Sequence, residues 1–239
     1  MRRRPRLPLV QLAPHLLELP SPGAMLSRPP DDYGSDASPS RAAKACHPLD
    51  SQAVFGNDHP VEVEIGFGKG LFLLHAAIAC PEVNFLGVEI SRKYQLLTAT
   101  RLTRHGVTNV RLVKDDARTL LRDRVAGASV QAVHVYFPDP WWKQRHRRRR
   151  VFTAEFAAEC ARVLRPGGRL HLATDVEEYF AVITALLREQ TGLRPLPPPP
   201  AHEPAHDLDY LTHFERKFRK EGRTVFRAVY AKAEAPAAK

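Results

Sequence analysis

Short apolar segments alternate with longer amphipathic segments between residues 61 and 192. The short segments are rich in valine and leucine, which is typical of buried strands. Five strands are predicted in this way: VEVEIGF at 61–67, NFLGVEI at 84–90, NVRLVKDD at 109–116, VQAVHVYF at 130–137 and RLHLATD at 169–175. Helices are predicted beside them at 70–80, 92–106, 117–125, 153–168 and 176–192. This alternation predicts an α/β fold with a doubly wound, mostly parallel sheet.

The two ends of the chain differ in composition and lack this alternation. Residues 1–50 are rich in Pro, Arg, Ser and Asp and show no sustained apolar period. We therefore predict an extended or disordered basic arm at 1–50 and one folded domain at 51–239. A proline-rich loop is predicted at 196–210, and the segment 224–233 reads as a final strand, antiparallel at the edge of the sheet.

The charge balance points to the class of partner. The 239 residues carry a net charge of +10, and the pI is near 9.8. This balance favours a polyanion, either a nucleic acid or an acidic membrane surface. No apolar run reaches the roughly 18 residues of a membrane span, and Pro8, Pro14 and His15 interrupt any signal-like core. We expect no membrane anchoring.

The cysteines give no sign of a metal site. Cys46, Cys80 and Cys160 lie far apart and form no CxxC pair. Neither a zinc site nor a disulfide framework is therefore predicted. We expect reduced thiols, no bound metal and a cytoplasmic location.

A glycine-rich turn follows the first predicted strand. Glu64 precedes Gly66, Gly68 and Gly70, and a helix begins at once. Dinucleotide-binding turns have the spacing GxGxxG, whereas this turn has GxGxG after an acidic residue. A carboxylate repels a pyrophosphate but suits the ammonium and sulfonium of S-adenosylmethionine. The four residues therefore predict an S-adenosylmethionine site rather than a nicotinamide site; a glycine turn without a ligand is the alternative.

Acidic residues close the next two predicted strands. Glu89 lies where a carboxylate of this fold accepts hydrogen bonds from ribose hydroxyls, although a solvated glutamate is the alternative. Asp115 and Asp116 lie near the expected position of an adenine edge. One of the two is expected to contact the adenine, and the other to cap the following helix.

The run Phe137–Arg150 begins where the fourth predicted strand ends. Prolines on both sides rigidify the turn and hold Asp139 at the mouth of the expected crevice. Trp141 or Trp142 is expected to stack on a base, with a core role as the alternative for one of them. Phosphate contacts are predicted for the basic side chains Lys143, Arg145, Arg147, Arg148, Arg149 and Arg150. The alternatives for this basic run are a solvated face and a targeting signal.

These motifs resemble those of the bacterial tRNA (guanine-N7)-methyltransferase family. The resemblance rests on EIGFGKG at 64–70, GVEI at 87–90, FPDPWWKQRHRRRR at 137–150, ATD at 173–175 and THFE at 212–215. It spans about residues 53–231 and implies a seven-stranded, Rossmann-like class I methyltransferase sheet with an antiparallel C-terminal edge strand. It also implies S-adenosyl-L-methionine as cofactor, tRNA as partner and a guanine of the variable loop as target.

The resemblance also implies residue roles. The cofactor-contacting acids are Glu64, Glu89, Asp116 and Asp139, of which Asp139 is also the catalytic residue. The substrate-contacting positions are Lys143, Asp175, Thr212, His213, Phe214 and Glu215. Two positions depart from the family pattern, because Trp142 often corresponds to proline and His213 to lysine or arginine. The second departure is expected to weaken a phosphate or substrate contact near neutral pH.

The implied chemistry needs no general base. Guanine N7 has an in-plane lone pair and no proton, so positioning and electrostatics should dominate, with Asp139 or Asp175 close to the base. A methyltransferase for small molecules or proteins and an inactive nucleic-acid-binding module are the competing interpretations. The arginine run argues against the first, and the complete set of cofactor residues argues against the second. A monomer and a homodimer both remain open.

Overall fold

The described residues, 7–19, 48–190, 192–198 and 212–234 of a computed structural model, form one eight-stranded sheet. Its strands are β1 (Leu16–Leu17), β2 (Val61–Ile65), β3 (Asn84–Val88), β4 (Val110–Val113), β5 (Val130–Tyr136), β6 (Leu164–Thr174), β7 (Leu193–Leu196) and β8 (Phe226–Lys232). Their order is β1-β4-β3-β2-β5-β6-β8-β7. Strands β1 to β6 pair in parallel, and β8 runs antiparallel to both β6 and β7. The predicted fold class is confirmed, with one strand more than the seven expected.

Helices cover both faces of the sheet. They are α1 (Leu9–Leu12), α2 (Ser51–Phe55), α3 (Leu71–Ala79), α4 (Arg92–Arg104), α5 (Ala117–Arg124), α6 (Ala154–Val163), α7 (Glu177–Arg188) and α8 (His213–Lys220). Short 3-10 helices lie at Ala13–His15 and Gln144–Arg149. One core cluster joins β2 and β5 to α5, α6 and α7, and a second joins β3 and β4 to α3 and α4. Two cores on opposite faces are the mark of a doubly wound sheet.

The order of the strands determines where a ligand binds. From β2 the chain moves outward through β3 and β4, and it then returns to β5 on the other side of β2. The strand order therefore reverses between β2 and β5. In an open α/β sheet, the crevice at the carboxyl ends of the strands on either side of this point is the binding site.

Residues 7–19 of the predicted basic arm are folded, so the prediction of an extended or disordered arm is wrong for them. Leu12 is 1% exposed in the core cluster beside α4. The buried His15 places Nδ1 3.1 Å from the carbonyl oxygen of Val110, which only accepts, so Nδ1 carries the proton. Leu16 and Leu17 extend the sheet beside β4. Burial lowers the pKa of His15. Residues 1–6 and 20–47 lie outside the described residues.

We expect Leu12→Ala to lower the free energy of unfolding by about 2–3 kcal/mol, because it leaves a cavity in a packed cluster. Urea denaturation followed by circular dichroism measures this change. The matched control is Leu9→Ala, since Leu9 lies on the same short helix but is 59% exposed. Equal stabilities of the two variants would contradict the packing of Leu12 in the core cluster beside α4.

Within the described part of the chain, no helix is both long enough and apolar enough to cross a membrane. The same residues contain no group of three His, Cys, Asp or Glu side chains arranged to hold a metal ion. Cys80 and the buried Cys160 are free thiols.

Candidate active site

A cavity of about 960 Å³ opens at the carboxyl ends of β2, β3 and β5, where the strand order reverses. All seven residues predicted to bind the cofactor line it: Glu64, Gly66, Gly68, Gly70, Glu89, Asp116 and Asp139. Thr212, His213 and Phe214 approach it from α8, and Trp141 and Arg149 from the run after β5. The structure therefore brings the two most distinctive sequence motifs to one cavity.

The glycine turn leaves β2 with its backbone in the left-handed region. Gly70 has a φ of 63°, and a Cβ atom there would lie 2.1 Å from the Cγ2 atom of Thr98. The hydroxyl of Thr98 in turn donates to the carbonyl oxygen of Gly68 over 3.1 Å. Only glycine combines this backbone conformation with so close an approach of α4. The turn is therefore held rigidly at the N-terminus of α3.

Glu64 is the most unusual group in the cavity. It is 3% exposed, and its Oε2 atom has no hydrogen-bond partner among the described residues. Burial, together with the charge of Glu89, raises the pKa of Glu64 well above its ordinary value. A buried carboxylate without a partner is costly unless a ligand satisfies it. The ammonium group of S-adenosylmethionine has the charge and the donors that this site lacks, so the residues fit that cofactor.

Glu89 has a second role that the sequence did not indicate. Its Oε2 accepts a hydrogen bond from the backbone N–H of Gly68 over 3.1 Å, and its Oε1 accepts one from Ser91 over 2.9 Å. The carboxylate thereby ties the glycine turn of β2 to the start of α4. Each oxygen retains a lone pair, so the predicted contact with ribose hydroxyls remains a prediction.

Of the two aspartates after β4, Asp116 is the helix cap. Its Oδ1 accepts from the backbone N–H of Arg118 over 2.9 Å, and its Oδ2 pairs with the Arg118 guanidinium at 2.6 Å. The hydrogen bond from Arg118 lowers the pKa of Asp116. Asp115 also lines the cavity. The capping role predicted for one of the pair thus belongs to Asp116, and contact of either residue with the adenine stays a prediction.

Asp139 lies in a strained turn. Phe137 and Trp141 both have positive φ angles, of 53° and 41°, which bulky residues rarely adopt. The N–H of Phe137 donates to the carbonyl oxygen of Ala173 over 2.7 Å, which anchors the turn to β6. Asp139 is exposed at the cavity mouth, yet partial burial of its carboxyl group raises its pKa. Strain that the fold maintains at one carboxylate is characteristic of a functional site.

The two tryptophans have different surroundings. Trp141 lines the cavity, with the Arg149 guanidinium 5.1 Å from its ring centroid. Trp142 is 47% exposed and packs edge-on against Tyr179, with Arg150 5.2 Å from its ring centroid. The Nε of Arg150 also donates to the carbonyl oxygen of Pro140 over 2.6 Å. Trp141 is therefore the better placed of the two to meet a base, and Arg150 braces the turn.

The segment THFE forms the start of α8. The Thr212 hydroxyl accepts a hydrogen bond from the N–H of Glu215 over 3.0 Å, which is half of a capping box. Glu215 is 3% exposed and pairs with Arg227 of β8. Asp175, whose side chain is 7% exposed, pairs with Arg223. Neither Asp175 nor Glu215 lines the cavity, and the exposed Lys143 does not line it either.

Sequence and structure comparisons agree with this geometry. A family model described as "Putative methyltransferase" matches residues 58–228. A tRNA (guanine-N(7)-)-methyltransferase of Rhodopirellula baltica is 44% identical over 190 residues, covering 77% of this chain and 70% of the relative. One of Geobacter metallireducens is 36% identical over 193 residues, covering 80% and 90%. The chain belongs to the tRNA (guanine-N(7)-)-methyltransferase family. It is therefore a methyltransferase, and its methyl donor is S-adenosylmethionine, as the sequence predicted.

Solved structures share the fold at low identity. The 16S rRNA methyltransferase KamB is 15% identical with a TM-score of 0.54, covering 77% of this chain and 92% of that one. The aminoglycoside resistance methyltransferase NpmB1 is 18% identical with a TM-score of 0.51, covering 73% and 87%. At these identities the likeness concerns the methyltransferase fold alone.

His213, at a position where the tRNA (guanine-N(7)-)-methyltransferase family often has lysine or arginine, makes a structural contact that the sequence did not indicate. Its Nε2 lies 2.9 Å from the Nη1 of Arg101, which also donates to the carbonyl oxygen of Lys69 over 2.8 Å. A guanidinium only donates, so Nε2 of His213 accepts. Burial and the neighbouring cations, Arg101 first, lower the pKa of His213 to about 4. His213 is thus a neutral acceptor that ties α8 to the glycine turn.

We expect His213 to titrate near pH 4 in nitrogen-15 NMR spectra, with His213→Gln used to assign its signal. Because its ordinary pKa of 6.5 applies to the unfolded chain, the unfolded state binds more protons between the two values. The contribution of His213 to stability is therefore complete above about pH 6.5 and declines as the pH falls towards 4. Titration near 6.5 in the folded protein would contradict the contact with Arg101.

Sequence reasoning missed several residues of the cavity. Tyr94, Tyr136 and Arg118 line it from α4, β5 and α5. The basic side chains Arg216, Lys217 and Lys220 of α8 line it as well. The continuation of THFE into RKFRK was the available signal, since a basic helix face beside a nucleic-acid site supplies phosphate contacts. The side chains of Arg147 and Arg148 lie outside the described part of the structure.

Proposed function

We propose that the protein transfers the methyl group of S-adenosylmethionine to N7 of a guanine in the tRNA variable loop. The observation that carries this proposal is the meeting of three features at one cavity: the Glu64 Oε2 atom, which has no partner among the described residues, the strained Asp139 turn and the basic face of α8. The relatives, which are tRNA (guanine-N(7)-)-methyltransferases, indicate the acceptor, a guanine N7 in tRNA. The position of this guanine in the variable loop is what the resemblance of residues 137–150 to the family implies.

The reaction needs alignment rather than proton removal. S-adenosylmethionine supplies an electrophilic methyl group on a positively charged sulfur. The N7 lone pair forms the new N–C bond while the C–S bond breaks, so one positive charge moves to the purine and no proton leaves. Glu64 would hold the cofactor through its ammonium group, and Glu89 keeps the glycine turn in place through its hydrogen bond from Gly68. In-line alignment of this kind supplies much of the rate in a displacement between two bound reactants.

Asp139 is the carboxylate that we assign to the base. It is exposed at the cavity mouth, so its oxygens are accessible to N1–H and the exocyclic amine of guanine. Those contacts strengthen as positive charge develops on the purine, which makes them selective for the transition state. Asp175, the other candidate from the sequence, is already paired with Arg223 and does not line the cavity.

The basic residues around the mouth suit an RNA backbone. Arg149, Arg216, Lys217 and Lys220 line one cavity, and the whole chain carries a charge of +10. Phosphate contacts of this kind make affinity depend strongly on salt. A small methyl acceptor would gain nothing from several cations around it. We also place the reaction in the cytoplasm, where tRNA is modified and where free thiols such as Cys80 and Cys160 stay reduced.

The test is methyl transfer to unmodified tRNA transcripts from labelled S-adenosylmethionine, followed by strand cleavage at N7-methylguanosine. We expect one mark, in the variable loop, and its loss when that guanine is replaced by adenine. A mark elsewhere in the tRNA would retain the chemistry but refute the position. Measurable cofactor binding without any transfer to tRNA would refute tRNA as the acceptor.

A further inference from the structure

Arg150, the last residue of the basic run, differs from its neighbours in where its side chain lies. Arg145 and Arg149 are exposed, whereas Arg150 is half-buried and does not line the cofactor cavity. Its Nε donates to the carbonyl oxygen of Pro140 over 2.6 Å. A contact with the protein backbone, rather than with a phosphate, is thus the first role that the structure gives Arg150.

Two aromatic rings hold the guanidinium group of Arg150 in place. Its Cζ atom lies 5.2 Å from the ring centroid of Trp142 and 5.3 Å from that of Tyr179. Tyr179 is fully buried on α7, and the Trp142 ring packs edge-on against it at 6.3 Å. A guanidinium that lies against aromatic rings is held by cation–π attraction, and it loses little freedom when it also donates a hydrogen bond. Packing against α7 therefore keeps the Nε–H on the Pro140 carbonyl oxygen.

Two anchors of the Asp139 turn lie on either side of that residue. Before it, the N–H of Phe137 donates to a carbonyl oxygen of β6 over 2.7 Å; after it, the Pro140 carbonyl oxygen accepts from Arg150. Phe137 and Trp141 both have positive φ angles, which residues other than glycine rarely adopt. Such a conformation persists only where surrounding contacts impose it. The hydrogen bond from Arg150 supplies such a contact at the exit from the turn.

We propose that Arg150 is a positioning residue for Asp139, and that it acts through the Pro140 carbonyl oxygen rather than by binding a phosphate. With the exit from the turn fixed, the Asp139 carboxylate stays at the cavity mouth, where it meets the guanine. Without this hydrogen bond the turn relaxes, and Asp139 is less often aligned with the base. The inference rests on the proposed function, in which Asp139 contacts the guanine.

Two substitutions separate the hydrogen bond of Arg150 from its charge. In Arg150→Lys the cation is kept, but a methylene group takes the place of Nε, so the N–H that meets Pro140 is lost. In Arg150→Gln the cation is lost, but the amide nitrogen takes the place of Nε along the side chain and is still a donor. A positioning residue should therefore tolerate glutamine better than lysine, whereas a phosphate-binding residue should show the reverse.

We expect Arg150→Lys to lower kcat about ten-fold in single-turnover methylation at saturating tRNA, because a hydrogen bond of ordinary strength is lost. Arg150→Gln should stay within about three-fold of the parent, because that bond is retained. Binding titrations at several salt concentrations measure the alternative, since a lost phosphate contact lowers the slope of log K against log salt by about one. Parent-like turnover in Arg150→Lys, with weaker and less salt-dependent binding in Arg150→Gln, would overturn the inference.

A double-mutant cycle shows whether Arg150 acts through Asp139. In the Asp139→Ala background no carboxylate remains to be positioned, so Arg150→Lys should lower kcat by no more than about two-fold further. If the two losses multiplied in Asp139→Ala/Arg150→Lys, Arg150 would act elsewhere and the inference would be wrong. Arg194→Lys, at an exposed arginine of β7, is the control for this exchange of side chains and should match the parent.

Carbon-13 NMR of the Asp139 carboxyl group provides a readout that needs no RNA. Partial burial raises the pKa of Asp139 in the parent protein. When the turn relaxes in Arg150→Lys, water reaches this group more freely, so its pKa should fall towards the ordinary value, whereas in Arg150→Gln it should stay raised. An equal pKa of Asp139 in the parent and in Arg150→Lys would overturn the inference. Failure of the proposed function would leave this difference intact and would appear only as absent methyl transfer by the parent protein.

Discussion

Asp139→Ala is expected to lower kcat about 10²–10³-fold, the usual effect of removing one group that stabilises developing charge. The physical reason is the contact that we propose between the Asp139 carboxylate, which lines the cavity, and the purine as that base becomes positive. Asp139→Asn should lose nearly as much, because an amide retains an acceptor but not the charge. Single-turnover methylation of tRNA measures the chemical step, and the melting temperature shows whether each variant stays folded.

The control for Asp139 is Asp58→Ala, at an exposed aspartate that does not line the cavity. Its turnover should equal that of the parent protein. Titration with S-adenosylmethionine separates the two roles that the family resemblance implies for Asp139. A loss confined to cofactor affinity, with kcat retained at saturation, would contradict the catalytic role and leave only the cofactor contact.

The cofactor cavity could be predicted from sequence because its residues follow strand ends. Glu64, Glu89 and Asp139 each lie at or just after the carboxyl end of a predicted strand, and parallel strands bring those ends to one edge. The glycines were recognisable because only they combine tight turns with close approach. Contacts between these groups were not predictable, since the hydrogen bond from Gly68 to Glu89 depends on the distance between neighbouring strands.

The predictions from sequence that proved wrong share one cause, which is that tertiary contacts determine the structure at those positions. Residues 7–19 show no sustained apolar period, because Pro8 and Pro14 interrupt the apolar positions, yet Leu12 is buried because it meets α4 and the neighbouring core. The predicted helix at 153–168 ends at Val163, and Pro166 and Gly167 lie within β6. Pairing of Leu164 with Val130 of β5 makes this stretch a strand, and a register shift accommodates the irregular sequence. Local propensity is overridden where a neighbouring strand supplies hydrogen bonds.

The segment THFE has a structural role that the motif did not indicate. The resemblance assigned Thr212 and Glu215 to substrate contact, and that assignment stays a prediction for the whole segment. In the structure, Thr212 caps the N-terminus of α8, and Glu215, in the first turn of this helix, is buried. The partner of Glu215 is Arg227, which is twelve residues later on another element. No spacing rule for helices or strands predicts such a pair, since its geometry depends on how α8 packs on β8.

Arg227→Ala is expected to destabilise the protein by about 3–5 kcal/mol, because it leaves the Glu215 carboxylate buried without its closest cation. Oε2 of Glu215 has no hydrogen-bond partner among the described residues, and Arg219 lies further away, at 3.7 Å. Loss of Arg227 should therefore release α8 from the sheet before the rest unfolds. Urea denaturation measures the change in the free energy of unfolding, and hydrogen exchange of the α8 amides shows whether the helix detaches first.

The stability lost in Arg227→Ala should come from the unpaired charge of Glu215 and not from the absence of the Arg227 side chain itself. Arg227→Met combined with Glu215→Leu removes both charges, so most of the stability should return. Arg194→Ala, at an exposed arginine of β7, should change stability by no more than about 0.5 kcal/mol. If the double variant proved as unstable as Arg227→Ala, the ion pair would not be what fixes α8. The helix that places Thr212, His213 and Phe214 at the cavity would then depend on its aromatic contacts with Phe137 instead.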